Sequence, residues 1–190
     1  MYDFLNDNPA VESRPVDYAN DPRVIAQNDN VVSINATIQI DLTGACNSEH
    51  MLGHQYSASG GQLDFVRGAF APKGGKSIIA ARSTAAKGKV SRIVARLDGP
   101  VTTPRIDTHY IVTEFGAANL KGLSSTERAH ALMEYPYCPD ECPEPYLGRR
   151  REVGWALYGL LGIRKGDRAA ARRWHDQNFI RRGVVTSRSW

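Results

Sequence analysis

Between residues 32 and 42 apolar and polar side chains alternate without a break, Val32, Ile34, Ala36, Ile38, Ile40 and Leu42 against Ser33, Asn35, Thr37, Gln39 and Asp41. This period of two predicts one half-buried strand. Gly44 follows as a turn. Beyond the Gly/Ser-rich stretch Ser57-Ala-Ser59-Gly60-Gly61 the spacing changes, and Leu63, Val66, Ala69 and Phe70 fall on one face of a predicted helix. The paired glycines therefore stand directly before a helix. Further strands are predicted over 77–81, 92–97 and 110–113, each bounded by Gly, Pro or Lys-Gly turns. Ser124-Ser-Thr-Glu127 is a capping box that opens a helix running to Met133. No internal repeat interrupts this order. Strands interleaved with short helices predict an α/β domain.

The pattern fails after Met133, where four prolines within residues 135–145 stop any helix and predict a linker or disorder. Residues 152–161 and 167–179 read as helices, the second strongly basic. Composition sharpens this break. The net charge is +4, yet residues 1–132 carry 13 basic and 13 acidic side chains, so the whole excess lies in 133–190. That tail also holds all three Trp, two of the three Cys, and Arg as its only basic residue apart from Lys165. Two compositions share one chain, and the tail is expected to be no native part of the preceding fold. A shifted reading frame in a GC-rich gene, or a lineage-specific extension, would produce such a change.

At 190 residues, 42% apolar and 23% charged, the chain has the size and composition of one globular core rather than of a disordered or fibrous protein. No apolar run approaches the roughly 20 residues of a membrane helix. The first residues, Met-Tyr-Asp-Phe-Leu-Asn-Asp, are acidic where a secretory signal is basic, so a cytoplasmic location is expected. An odd number of cysteines reads as reduced thiols.

Gly60-Gly61 before a helix suits a phosphate or thioester, because the backbone can approach a ligand and offer N–H donors at the helix's positive end. A tight turn that lets the helix pack on a strand explains the same residues. Lys73-Gly-Gly-Lys76-Ser77 fails as a Walker loop, since Phe70 stands where its first glycine belongs. Cys138 and Cys142 with His130 have unconvincing metal spacing, and His50 and His54, which could share a helix face, lack a third ligand. No metal is expected. Ser57 precedes Ser59 where a nucleophile elbow needs glycine.

Several motifs, taken in order, resemble one family. They are Tyr2-Asp-Phe-Leu-Asn-Asp-Asn-Pro9, Pro15-Val-Asp-Tyr-Ala-Asn20-Asp-Pro22, Ile25-Ala-Gln-Asn-Asp-Asn30, Ile34-Asn35, Asp41-Leu-Thr-Gly44, Gly60-Gly-Gln-Leu-Asp-Phe-Val-Arg-Gly-Ala69 and Val112-Thr-Glu-Phe-Gly116. Residues 1–132 resemble the C-terminal domain of the acetyl-CoA hydrolase and 4-hydroxybutyrate CoA-transferase family. The resemblance implies a CoA-transferase-type (NagB/RpiA-like) α/β fold, an open sheet with flanking helices, here followed by an Arg-rich extension. It implies acyl-CoA and small carboxylates as substrates, coenzyme A as the group moved, an N-terminal partner domain lying outside this sequence, and a homo-oligomer as a compatible assembly. In such enzymes a glutamate attacks the thioester, an acyl-glutamyl anhydride gives way to a glutamyl-CoA thioester, and a carboxylate or water resolves it.

By the same resemblance Asn20 matches an active-site asparagine, Gly61 the glycine beside the thioester, Ser57 a preceding CoA contact and Lys87 a lysine that pairs with CoA. The residues alone read Asn20-Asp-Pro22 as a turn and Lys87 as a solvated turn lysine. The family's nucleophilic glutamate belongs to a motif upstream of Met1, and neither Glu114 nor Glu49 takes its place, so the isolated chain is expected to be inactive. A second departure falls at Glu134-Tyr-Pro-Tyr-Cys, where the family's His-Pro-Asp-Phe-Arg type of segment is absent. The competing expectation is a non-enzymatic interaction module whose basic tail binds an acidic partner or nucleic acid, although Arg168, Arg172 and Arg173 equally make one solvated helix face.

Overall fold

A computed structural model describes residues 1–134 of the chain. The expectations for the proline-rich stretch and for helices over 152–161 and 167–179 lie outside the described residues.

Three one-turn helices open the chain: α1 (Tyr2–Leu5), α2 (Val16–Ala19) and α3 (Pro22–Ile25). Strands β1 (Val32–Asn35), β2 (Gln39–Asp41) and β3 (Cys46–Asn47) follow, then a small hairpin of β4 (His50–Met51) and β5 (His54–Gln55). Helix α4 (Gln62–Phe70) leads to β6 (Lys76–Ala80). A second hairpin, β7 (Thr84–Ala85) and β8 (Val90–Ser91), precedes β9 (Ile93–Val94), β10 (Tyr110–Thr113), β11 (Gly116–Asn119) and α5 (Ser125–Glu134). The main sheet has the order β1-β6-β10-β11, parallel except for β11, and a second sheet has the order β3-β2-β9. The fold is mixed α/β with open sheets, as expected.

The long strand predicted over 32–42 is two strands in two sheets. After Asn35 the chain leaves β6, and the Thr37 hydroxyl donates to the carbonyls of Asn47 and Gln39 at 2.9 and 3.1 Å. These bonds turn the chain into the second sheet, where Ile38 N–H donates to the Asn47 carbonyl. The buried side of β1 is also the reverse of the apolar one: Ser33 is buried, whereas Val32 and Ile34 are 50% and 67% exposed. On the inner side Ser33, Ser77, Ile79, Ile111 and Ala118 share a face through the strand registers, and α4 packs on it. His50 and His54 do not share a helix face, because they stand on the two strands of the β4–β5 hairpin.

The core joins the two sheets and two helices through Ile40, Cys46, Val66, Ile79, Ile111, Ala118, Leu120 and Leu132. Cys46 is fully buried, and that burial pushes its thiol up to about 12, so it is held protonated and unreactive. The capping box forms as the sequence predicts: Ser124 N–H and Oγ donate to the Glu127 carboxylate at 2.9 and 2.8 Å, and Glu127 N–H donates to Ser124 Oγ.

His109 lies between the rings of Phe70 and Tyr110, with centroids at 5.0 and 4.2 Å, and its Nδ1 accepts from Ser77 N–H at 3.4 Å. Burial above all, then Lys121 and Lys76, holds its imidazole below the ordinary histidine pKa. The unfolded chain then takes up a proton before the folded one does, so His109 makes stability fall as pH drops from about 6.5 through the lowered folded value. A His109→Gln variant is expected to lose that part of the slope when melting temperature is followed against pH.

Candidate functional site

The site is built at the end of the sheet from which the parallel strands emerge. Helix α4 is followed within a few residues by the start of β6, so its N-terminus points to the opposite edge, that of the strands' carboxyl ends. Gly61 is the N-cap residue of α4, and the first-turn N–H groups of a helix have no acceptor within it. At Gly61 the side chain of Asn20 occupies the space that a Cβ would take: it would lie 2.9 Å from Asn20 Cγ and closer still to Nδ2. A side chain at this position would have to displace the asparagine amide.

Local chemistry explains how Asn20 reaches that place. Ala19-Asn20-Asp21-Pro22 is a corner between two one-turn helices: Asn20 ends α2, and Asp21 caps α3 by accepting from Arg23 N–H at 2.8 Å. Pro22 occupies the first helical position, where no N–H is needed. The Asp21 carboxylate also accepts from Arg23 Nε and Nη2, and these hydrogen bonds hold its pKa below the usual carboxylate range. Helix α3 then seats Ile25 against Gly68 of α4, where an added Cβ would lie 2.6 Å from Ile25 Cβ. The turn reading of Asn-Asp-Pro is correct for the backbone, and it leaves the asparagine side chain against α4.

The remaining expected residues lie nearby in sequence or on a separate hairpin. Ser57 is exposed in the loop before α4, with its N–H on the Glu49 carbonyl at 3.1 Å and its hydroxyl on the Ala58 carbonyl at 3.2 Å. Lys87 is exposed at the tip of the β7–β8 hairpin. Ala86 and Lys87 both have left-handed backbones, with φ of 50° and 56°, across a turn closed by Gly88 N–H on the Ala85 carbonyl. Two adjacent non-glycine residues in that region cost about 1–2 kcal/mol each. The structure thus brings Asn20 and Gly61 into contact, keeps Ser57 on the same loop as Gly61, and carries Lys87 on its own projection.

Glu114 is tied up elsewhere. Its carboxylate accepts from Ser83 N–H and Ser83 Oγ, both at 2.8 Å. Desolvation raises its pKa, but backbone donors at Glu114 and Ser83, the Ser83 hydroxyl and Arg82 together outweigh this and lower it. It fastens the β10–β11 turn to the segment after β6. Among the described residues no three His, Cys, Asp or Glu side chains gather as metal ligands.

A sequence model of the acetyl-CoA hydrolase/transferase C-terminal domain matches residues 1–137. The chain belongs to this family. The 4-hydroxybutyrate coenzyme A transferase of Clostridium kluyveri is 55% identical over 135 residues, which cover 70% of this chain and 32% of that protein. Among solved structures, RipA from Yersinia pestis superposes with a TM-score of 0.74 at 72% identity, over 85% of this chain and 35% of its own. A 4-hydroxybutyrate CoA-transferase from Porphyromonas gingivalis gives 0.60 at 44% identity, over 80% and 34%. The chain spans about a third of the length of the relatives it matches.

Within this family domain, the Ile25–Gly68 seat that positions Asn20 was not foreseen from sequence. Its one signal was a glycine in the middle of a helical pattern, which marks a close approach. No helix among the described residues is long and apolar enough to cross a membrane.

Proposed function

We propose that this chain is the CoA-binding C-terminal part of a CoA-transferase or acyl-CoA hydrolase of the CoA-transferase fold type, working in the cytoplasm on acyl-CoA and small carboxylates. The observation that carries this reading is the apposition of Asn20 and Gly61 at the start of α4. The missing Cβ at Gly61 lets the Asn20 amide stand at the start of α4, and that amide and the first-turn N–H groups are donors for the oxyanion that forms when a carboxylate attacks a thioester bound there. The attacking glutamate comes from a segment upstream of this sequence. It displaces CoA thiolate and forms an acyl anhydride; the thiolate then attacks the glutamyl carbonyl, releases the acyl group as its carboxylate and leaves glutamyl-CoA. An acceptor carboxylate or water completes the cycle.

An N-terminal partner domain is part of this reading. Its docking is supported by the exposed apolar residues of the opening helices and of the outer side of β1, Tyr2, Phe4, Val16, Tyr18, Val32 and Ile34. Residues 133–190 are read as an extension foreign to this domain, and limited proteolysis is expected to cut within 135–145 and leave the preceding core whole.

Lys87 is read as the CoA-phosphate contact, and its strained turn separates charge from conformation. Lys87→Gly is expected to leave the domain as stable or up to about 1 kcal/mol more stable, since glycine accepts a left-handed backbone. Lys87→Ala keeps the strain. Both variants should bind CoA more weakly and with less salt dependence than the parent. Isothermal titration with CoA at low and high salt tests this reading; parental affinity and salt slope in both variants would remove Lys87 from the site.

A further inference from the structure

The proposed chemistry needs two sets of donors aimed at one place, the Asn20 amide and the first-turn N–H groups of α4. Ile25 against Gly68 seats the first. The second is held from another quarter. The residues that α4 buries, Val66, Gly68 and Ala69, lie from its middle onward, and apolar burial has no direction of its own. Its N-cap, Gly61, makes no side-chain bond to the first turn. Gln62, the first helical residue, reaches out of the helix instead, and its Nε2 donates to Thr103 Oγ1 at 3.0 Å across 41 residues of chain.

Thr103 is a fixed acceptor. It is fully buried, its N–H donates to the Cys46 carbonyl at 3.1 Å, and its own carbonyl accepts from Cys46 N–H at 3.0 Å. Cys46 belongs to β3 and to the core. A β-branched side chain on a backbone clamped in this way has little rotamer freedom. The neighbouring hydroxyl has a separate task, since Thr102 Oγ1 accepts from Ser48 N–H at 2.9 Å. The Thr103 hydroxyl therefore ties the start of α4 to the second sheet.

We propose that Thr103 is a positioning residue: through Gln62 it fixes the direction of the first-turn N–H groups of α4, and so where they meet an oxyanion beside Asn20. It acts on the reaction only through Gln62. The assignment rests on the proposed function, which gives those donors their task. Misplacement by about 1 Å costs about a hundredfold in rate, so loss of this one tie is expected to cost about tenfold or more.

The test sets rate against stability, with kinetics on the full chain fused to the upstream part of the Clostridium kluyveri transferase, well below its melting temperature. Thr103→Ser keeps the hydroxyl and loses a buried methyl, so it should lower the melting temperature and keep the parental kcat. Thr103→Val keeps the shape and loses the acceptor, so kcat and kcat/KM should fall together by about tenfold or more, with KM steady. Gln62→Met should do the same, and the pair should lose no more than either alone. Nitrogen-15 NMR on the unfused chain adds a readout without activity: the Gln62 Nε2 and Gly61 amide resonances should move in Thr103→Val and far less in Thr103→Ser. Parental kcat in Thr103→Val, a kcat in Thr103→Ser as low as in Thr103→Val, or additive losses in the pair overturns the assignment. Should Thr103→Val fail to fold, Gln62→Met set against Thr103→Ser decides. An inactive parent fusion counts against the proposed function alone; the resonances then decide, and ones unmoved in Thr103→Val overturn the tie.

Discussion

Gly61→Val, placed in a fusion to the upstream part of a relative, is expected to lower kcat/KM by about a hundredfold or more, the scale of misplacing a reacting group by about an ångström. The reason is local: a side chain at Gly61 must displace Asn20, whose Cγ lies 2.9 Å from where the Cβ would stand. Gly61 has φ of −92°, so backbone strain plays no part and the effect is one of space. A coupled variant isolates it. In Asn20→Ala the space is vacated, and adding Gly61→Ala should then cost little stability, whereas Gly61→Ala alone should destabilise. Activity should stay low in the pair, since one oxyanion donor is worth about 10²–10³ in kcat. Denaturation midpoints and steady-state rates on the four proteins check both halves. Additive stability effects would mean that the two residues do not share this space.

Gly44→Val is expected to be the most damaging change to the core, at about 2–5 kcal/mol. The backbone there has φ of 91°, which costs a side chain about 1–2 kcal/mol. An added Cβ would lie 2.7 Å from Leu120 Cδ1 and 3.3 Å from Arg128 Nη1, and such overpacking costs about 1–3 kcal/mol more. The neighbourhood has little freedom to yield. Arg128 Nε donates to the Leu123 carbonyl at 3.1 Å, its Nη1 to the carbonyls of Thr43 and Arg105, and Thr108 Oγ1 donates to the Gly44 carbonyl at 2.6 Å. Gly122→Val is the control: its φ is 74°, but nothing lies within 4 Å of its Cβ position, so only the backbone part should appear. Urea unfolding of both variants separates the two costs. A Gly122 variant as unstable as the Gly44 one would show that crowding against Leu120 contributes nothing.

What the sequence makes legible here is local. The helical spacing of α4 and the Ser124–Glu127 box form by contacts within a few residues, and they and the short apolar run of β10 each lie where the pattern puts them. The alternation over residues 32–42 reports a strand period but carries no sign. Ser33 turns inward because α4 lies on that side of β1, a fact fixed by residues far along the chain. The break at Thr37 depends likewise on the Asn47 carbonyl, ten residues away. Of the candidate site, the resemblance supplied Asn20, Ser57, Gly61 and Lys87, while residue types alone made the first a turn and the last a solvated lysine. The contact between Asn20 and Gly61 is non-local, and periodicity cannot express it.

The central claim is that this chain holds CoA for a glutamate supplied from outside it. The most direct measurement is exchange of labelled acetate into acetyl-CoA by the chain alone and by its fusion to the upstream part of the Clostridium kluyveri transferase, with borohydride used to trap a glutamyl-CoA thioester. The account predicts no exchange by the chain alone, exchange by the fusion, and a trapped glutamate in the upstream part. Exchange by the unfused chain at an ordinary enzymatic rate, about 1–10³ s⁻¹, would contradict it.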